Sequence, residues 1–147
     1  MAFTTSLRDA IIADLVASGE FAVGQVFKEP EDVEKTSPPC VFVIPGGGGQ
    51  TDPNAFSTER VGDSTQEFTL QLVVKSSTPH TTVMDLLDAV RNEIEVKASN
   101  TNSVSNVDYA DVSEWEEVFV TTSDMRNQLA VLQCTVFIAY KYAKGTL

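Results

Sequence analysis

Residues 65–98 read TQEFTLQLVVKSSTPHTTVMDLLDAVRNEIEVKA, and the spacing of the apolar residues changes partway through. Up to Lys75 apolar and polar residues alternate. Phe68, Leu70, Leu72 and Val74 point one way, while Glu67, Thr69, Gln71 and Lys75 include the outward set. A period of two is that of a strand with one face in a core. From Val83 onward the apolar residues return every three or four positions. Val83, Leu86, Leu87, Val90 and Ile94 form one helical stripe, with Asp85, Asp88, Glu93 and Glu95 mostly off it. Ser77 or Thr78 supplies a cap, and Pro79 suits a first helical position.

Working outward, residues 5–18 predict another helix, with Leu7, Ile11 and Leu15 on one face and Ala10 and Ile12 beside them. Thr4 or Thr5 can cap its start, and Gly19 is a natural stop. FAVGQVFKE (residues 21–29) reads as a short strand with Val23, Gln25 and Phe27 on one face. EPEDVEKTSPP is a polar connector. CVFVI (residues 40–44) is apolar throughout, which predicts a strand covered on both faces. Residues 45–64, beginning with Gly46, Gly47, Gly48 and Gly49, read as a long polar loop. A loop of that length exceeds the usual connection, which points to function or disorder.

Beyond the second helix, ASNTNSVSN is a turn. Residues 107–121 give one or two strands interrupted around Ser113–Glu116, and TSDMRN is another turn. Residues 128–142 form a last strand with Ala130, Leu132, Cys134, Val136, Ile138 and Tyr140 on one face. The fold class that follows is α+β: a mixed or antiparallel sheet of about five strands, two α-helices packed on one face, and a long flexible loop between strands.

The chain has 147 residues, 42% hydrophobic and 21% charged, which suits one domain over residues 1–147 with one core. Its formal net charge of -11 excludes a protein that grips nucleic acid through clustered Lys and Arg. Acidity suits plain solubility, or a surface that must not stick to DNA. No apolar run approaches the ~20 residues that span a bilayer. Asp9 and Asp14 interrupt the apolar N-terminal stretch, unlike a signal peptide, so a cytoplasm-like compartment is expected. Cys40 and Cys134, the two cysteines, lie in strand-like runs and read as buried free thiols. With a single histidine, His80, no metal-ligand set is expected.

Catalytic patterns fail one by one. A phosphate cradle needs G-x-x-x-x-G-K-[ST] running into a helix, whereas Gly46–Gly49 precede Gln50, Thr51 and Asp52. A Ser-His-Asp site would rest on His80 alone, without a G-x-S-x-G turn. The carboxylates Asp108, Asp111, Glu114, Glu116 and Glu117 lack the D-x-[DN]-x-[DN]-G spacing of a calcium loop and read as a solvated strand face. Trp115 among them covers the sheet or a neighbouring subunit. No cofactor and no enzymatic activity are expected.

The order of elements resembles the tail terminator (tail completion) proteins of long-tailed bacteriophages, the minor tail protein U family. The resemblance is carried by the helix SLRDAIIADLVASG, the strand AVGQVFKE, the proline-led strand SPPCVFVIPG before a long loop, ERVGDSTQEFTLQLVVKSS, the helix HTTVMDLLDAVRNEIE and the closing strand RNQLAVLQCTVFIAYKY. It spans nearly the whole chain. It implies a virion protein of the tail or neck, assembled in the host cytoplasm. Such a protein forms a homo-hexameric ring on the head-proximal end of the tail tube, stops tube growth and meets the head–tail connector. DNA passes through the ring without specific binding. On this resemblance Gly46, Gly47, Gly48, Gly49, Asn54, Phe56 and Arg60 form a partner or subunit interface loop with Phe56 as anchor. Asp111, Glu114, Glu116 and Glu117 line the lumen. Three other readings stay open: another neck, head-completion or tail-tube protein, a small nucleotide-binding enzyme using the glycine loop, and a monomeric α+β adaptor of some unrelated protein.

Overall fold

The computed structural model describes residues 3–29, 38–50, 61–120 and 128–143. Helix α1 (Phe3–Ala17) is followed by a 3-10 turn at Val23–Gln25 and the two-residue strand β1 (Val26–Phe27). Then come β2 (Cys40–Gln50), β3 (Val61–Ser76), α2 (Pro79–Ile94), β4 (Val107–Val112), β5 (Glu116–Val120) and β6 (Gln128–Ala143). The strands form one open sheet in the order β1-β2-β3-β6-β4, with β5 in line with β4 on the same side of β6. Among the described residues only β1 against β2 is parallel. The fold class is therefore the expected α+β arrangement, with six strands.

The long strands β3 and β6 pair without interruption from Val61↔Ala143 to Ser76↔Gln128. Their alternating apolar residues explain why. Phe68, Leu70, Leu72, Val74, Ala130, Leu132, Cys134, Val136, Ile138 and Tyr140 are all buried in one cluster under the helices. Leu7, Ile11 and Leu15 of α1 and the full Val83–Ile94 stripe of α2 complete that cluster. On β2, Val41 and Val43 enter the same core, while Cys40 and Phe42 join Val73 and Val131 in a smaller cluster on the opposite face. The both-sided burial expected of CVFVI holds as far as Val43; Ile44 is exposed.

Two expectations are corrected. The segment 21–29 is mostly not a strand: Gly24 sits in a turn, Val23 is 78% exposed, and only Val26 and Phe27 reach β2. The glycines do not open a loop. Strand β2 continues through Gly46, Gly47, Gly48 and Gly49 to Gln50, because β3 begins at Val61 and offers a backbone ladder that needs no side chain. The intervening residues 51–60 lie outside the described residues.

The ladder is offset between Pro45 and Gly48, a β-bulge that presses Gly46 onto β3. A Cβ there would sit 3.1 Å from the Glu67 backbone oxygen, whereas a Cβ at Gly47 meets nothing within 4 Å. Gly46→Ala should therefore lower stability by about 1–2 kcal/mol, and Gly47→Ala should stay within about 0.5 kcal/mol of wild type. Equal urea midpoints for the two variants would contradict the bulge geometry.

Helix α1 carries one polar residue into the core. Asp14 is fully buried on the stripe of Leu7, Ile11 and Leu15. Its carboxylate accepts the N–H groups of Asn100 at 2.8 Å and Thr101 at 3.0 Å, and the Thr101 hydroxyl. The turn after α2 is thus fastened to α1. Asn102 completes that turn by donating to the carbonyl of Ile94, the last residue of α2, and to that of Val96 beyond it. Gly19, at φ +80°, ends α1 as expected. Thr78 occupies the N-cap of α2, but its hydroxyl makes no capping bond.

Candidate functional site

The helices cover one face of the sheet; on the opposite face the end around Cys40, Phe42, Val73 and Val131 is buried, and the remainder is the surface the fold presents. The register decides which side chains occupy it. Residues that alternate with the core set face outward: Glu67, Thr69 and Gln71 on β3, and Gln133, Thr135 and Phe137 on β6. Asp111 pairs with Phe137, and Phe137 pairs with Glu67, so two carboxylates flank one exposed aromatic across three strands. Tyr109 joins this face one pair along, opposite Ala139, and is 53% exposed. Glu116 faces Gln133, whose amide donates to the Glu116 carboxylate. The middle of this face is polar with Glu67, Asp111 and Glu116 as its charges; Lys75 and Lys141 stand near its two ends.

The four carboxylates singled out in the sequence divide. Asp111 and Glu116 share the uncovered face. Glu117 pairs with Leu132, a core position, and lies on the helical side with His80 Nε2 at 3.5 Å. Glu114 is exposed in the link between β4 and β5, beside Trp115. Glu67 was missed: its alternation on β3 marks it as outward, but only the register with β6 and β4 sets it beside Asp111. Of the interface residues, Gly46, Gly47, Gly48 and Gly49 lie in β2 at the border of the sheet, and Asn54, Phe56 and Arg60 lie outside the described residues.

The link Ser113–Trp115 is held by α2. Arg91 Nη2 donates to the Ser113 carbonyl at 3.1 Å, and Glu95 Oε1 accepts the Val112 N–H at 2.9 Å. His80 stacks on Trp115 with ring centroids 6.5 Å apart, and the indole packs against the core. A shallow groove of about 430 Å³ runs between α2 and this link, lined by Met84, Leu87, Asp88, Arg91, Glu114 and Trp115. Among the described residues no three His, Cys, Asp or Glu side chains come together to hold a metal ion. No helix among them is long and apolar enough to cross a membrane.

Cys40 and Cys134 are both buried, as expected. Burial pushes the Cys134 thiol up to about 12, against a smaller opposing pull from Arg91. Below the ordinary value of 9.0 the thiol is neutral whether the chain is folded or not. Between there and about 12 the unfolded chain gains by ionising and the folded chain does not, so Cys134 makes stability fall as pH rises through that window. A thiol–disulfide exchange reagent at pH 8 should label Cys134 only when the chain is denatured. Rapid labelling of the folded protein would contradict its burial.

No protein-family model matches the chain, and no curated protein matches it. Among solved structures the fold is similar to that of a chain in "Virion of native gene transfer agent (GTA) particle". The match covers 92% of this chain and 98% of that one, with a TM-score of 0.54 and 17% sequence identity. A likeness at this identity is one of fold.

Proposed function

We propose that this chain is a structural protein of a phage-like virion and works by assembly, without catalysis. It closes a hexameric ring on the head-proximal end of a tail tube, ends tube growth, and offers its other surface to the head–tail connector. The observation that carries this reading is the end-to-end fold likeness to a chain of a gene transfer agent virion, which covers nearly all of both molecules.

The uncovered sheet face supports it. A ring that lets DNA pass needs a lumen that does not hold phosphate. A polar surface whose central charges are Glu67, Asp111 and Glu116, in a chain of net charge -11, repels phosphate at short range. In this proposal that face lines the lumen and the helices face outward. The glycines also favour assembly over nucleotide binding, since Gly46–Gly49 lie in a paired strand and form no phosphate-cradling loop.

The test is to add the purified protein to growing tail tubes. It should appear at one end of each tube and stop elongation there. Incorporation along the tube wall would instead make it a tube subunit, and the absence of any binding to the tube would contradict the terminator role.

A further inference from the structure

The sheet is open, bordered by β1 and β2 on one side and by β4 and β5 on the other. Resting on the ring reading above, we propose that neighbouring copies of this chain join edge to edge. The outer edge of β2 over Gly46–Gln50 pairs antiparallel with the outer edge of β4 in the next copy, so that the sheet runs on from subunit to subunit.

Strand direction is the first argument. β2 is antiparallel to β3, β3 to β6, and β6 to β4, so β2 and β4 run in opposite directions. Turning a second copy about an axis along the strands preserves those directions. Its β4 then meets β2 as an antiparallel partner, in a head-to-tail contact of the kind that closes rings.

Height is the second. Among the described residues β1 pairs only with Val41 and Phe42, which leaves the other half of β2 unpaired on its outer side. That half is level with β4. Gly48 aligns with Gln66, Gln66 with Ile138, and Ile138 with Ala110.

Main-chain orientation is the third. Thr135 accepts the Ser113 N–H at 2.8 Å, and Lys141 donates its N–H to the Asn106 carbonyl at 2.8 Å. The odd residues of β6 thus turn their polar groups toward β4, and the even ones toward β3. Ile138 is therefore bonded to Gln66, and the alternation turns Gly48 away from β3 and Ala110 away from β6. At one height, each border presents an outward N–H and an outward C=O. Two such residues exchange both bonds when the borders meet.

The borders also stop donating at the same level. Pro45, which has no N–H, aligns through Phe68 and Val136 with Val112, whose N–H is already taken by Glu95. Exposed edges are usually guarded by lysines or inward charges. Gly46–Gln50 carries neither, and so brings no like charge against Asp108 and Asp111 of β4.

The test uses a disulfide. Gly48 opposite Ala110 puts Gly49 opposite Tyr109 in a non-bonded pair with Cα atoms about 4.5 Å apart, within disulfide reach. The Gly49→Cys, Tyr109→Cys protein, mildly oxidised, should give a covalent ladder of subunits on non-reducing gels. Neither single variant should give one, since Cys40 and Cys134 are buried. Gly49→Cys with Glu116→Cys, at the height covered by β1, should give none. Gly47→Cys with Asp111→Cys repeats the test at a position where a side chain meets open space. Circular dichroism confirms that each variant folds. If light scattering shows assembly but both matched pairs fail to link, or the mismatched pair links equally, edge pairing is wrong and the ring stands. If every form stays monomeric with and without tail tubes, the ring reading falls and this proposal falls with it.

Discussion

Asp14→Ala melts well below the wild type. The carboxylate is fully buried and accepts two backbone N–H groups and one hydroxyl from the turn after α2. Truncation leaves those donors without an acceptor where water does not replace it, and loosens the tie between α1 and the chain beyond α2. The expected loss is about 3–5 kcal/mol. For a domain of this size that lowers Tm by roughly 10 °C or more. Thr101→Val removes only the hydroxyl bond and should cost about 1–2 kcal/mol. In the double variant the losses should not add, because both act on one carboxylate. A Tm for Asp14→Ala within two or three degrees of wild type would contradict this reading of the contact.

Phe68→Ala is the second large loss. Phe68 lies at the middle of β3, fully buried, between Val136 of β6 and Pro45 of β2. Alanine removes the aromatic ring from a packed core and leaves a cavity that the paired strands on either side cannot close. The expected destabilisation is about 3–5 kcal/mol. Glu67→Gln, one residue away on the uncovered face, should change stability by less than about 0.5 kcal/mol. Equal urea midpoints for Phe68→Ala and wild type would show that β3 does not present this face to the core.

These two residues also mark what the sequence could and could not yield. Phe68 was legible because alternation is local: every second residue from Phe68 to Val74 and from Ala130 to Tyr140 is apolar, and the structure buries each one. The α2 stripe and the break between β4 and β5 were legible for the same reason. Asp14 was noticed only as an interruption of an apolar stretch. Its position on the stripe with Leu7, Ile11 and Leu15 was the available signal, but its partners lie 86 and 87 residues away and no local rule names them. The glycine strand was misread because composition speaks for flexibility, while the β3 backbone beside it dictates pairing. Glu67 shows the same limit: alternation gives its face, and only cross-strand register puts it with Asp111.

The central claim is that the molecule acts by closing a ring. Size-exclusion chromatography with light scattering over a wide concentration range, followed by negative-stain electron microscopy of the largest species, tests it most directly, with tail tubes added if the free chain is monomeric. The account predicts a six-membered ring with a central hole, free or seated on one tube end. A chain that stays monomeric at every concentration and caps no tube would contradict it.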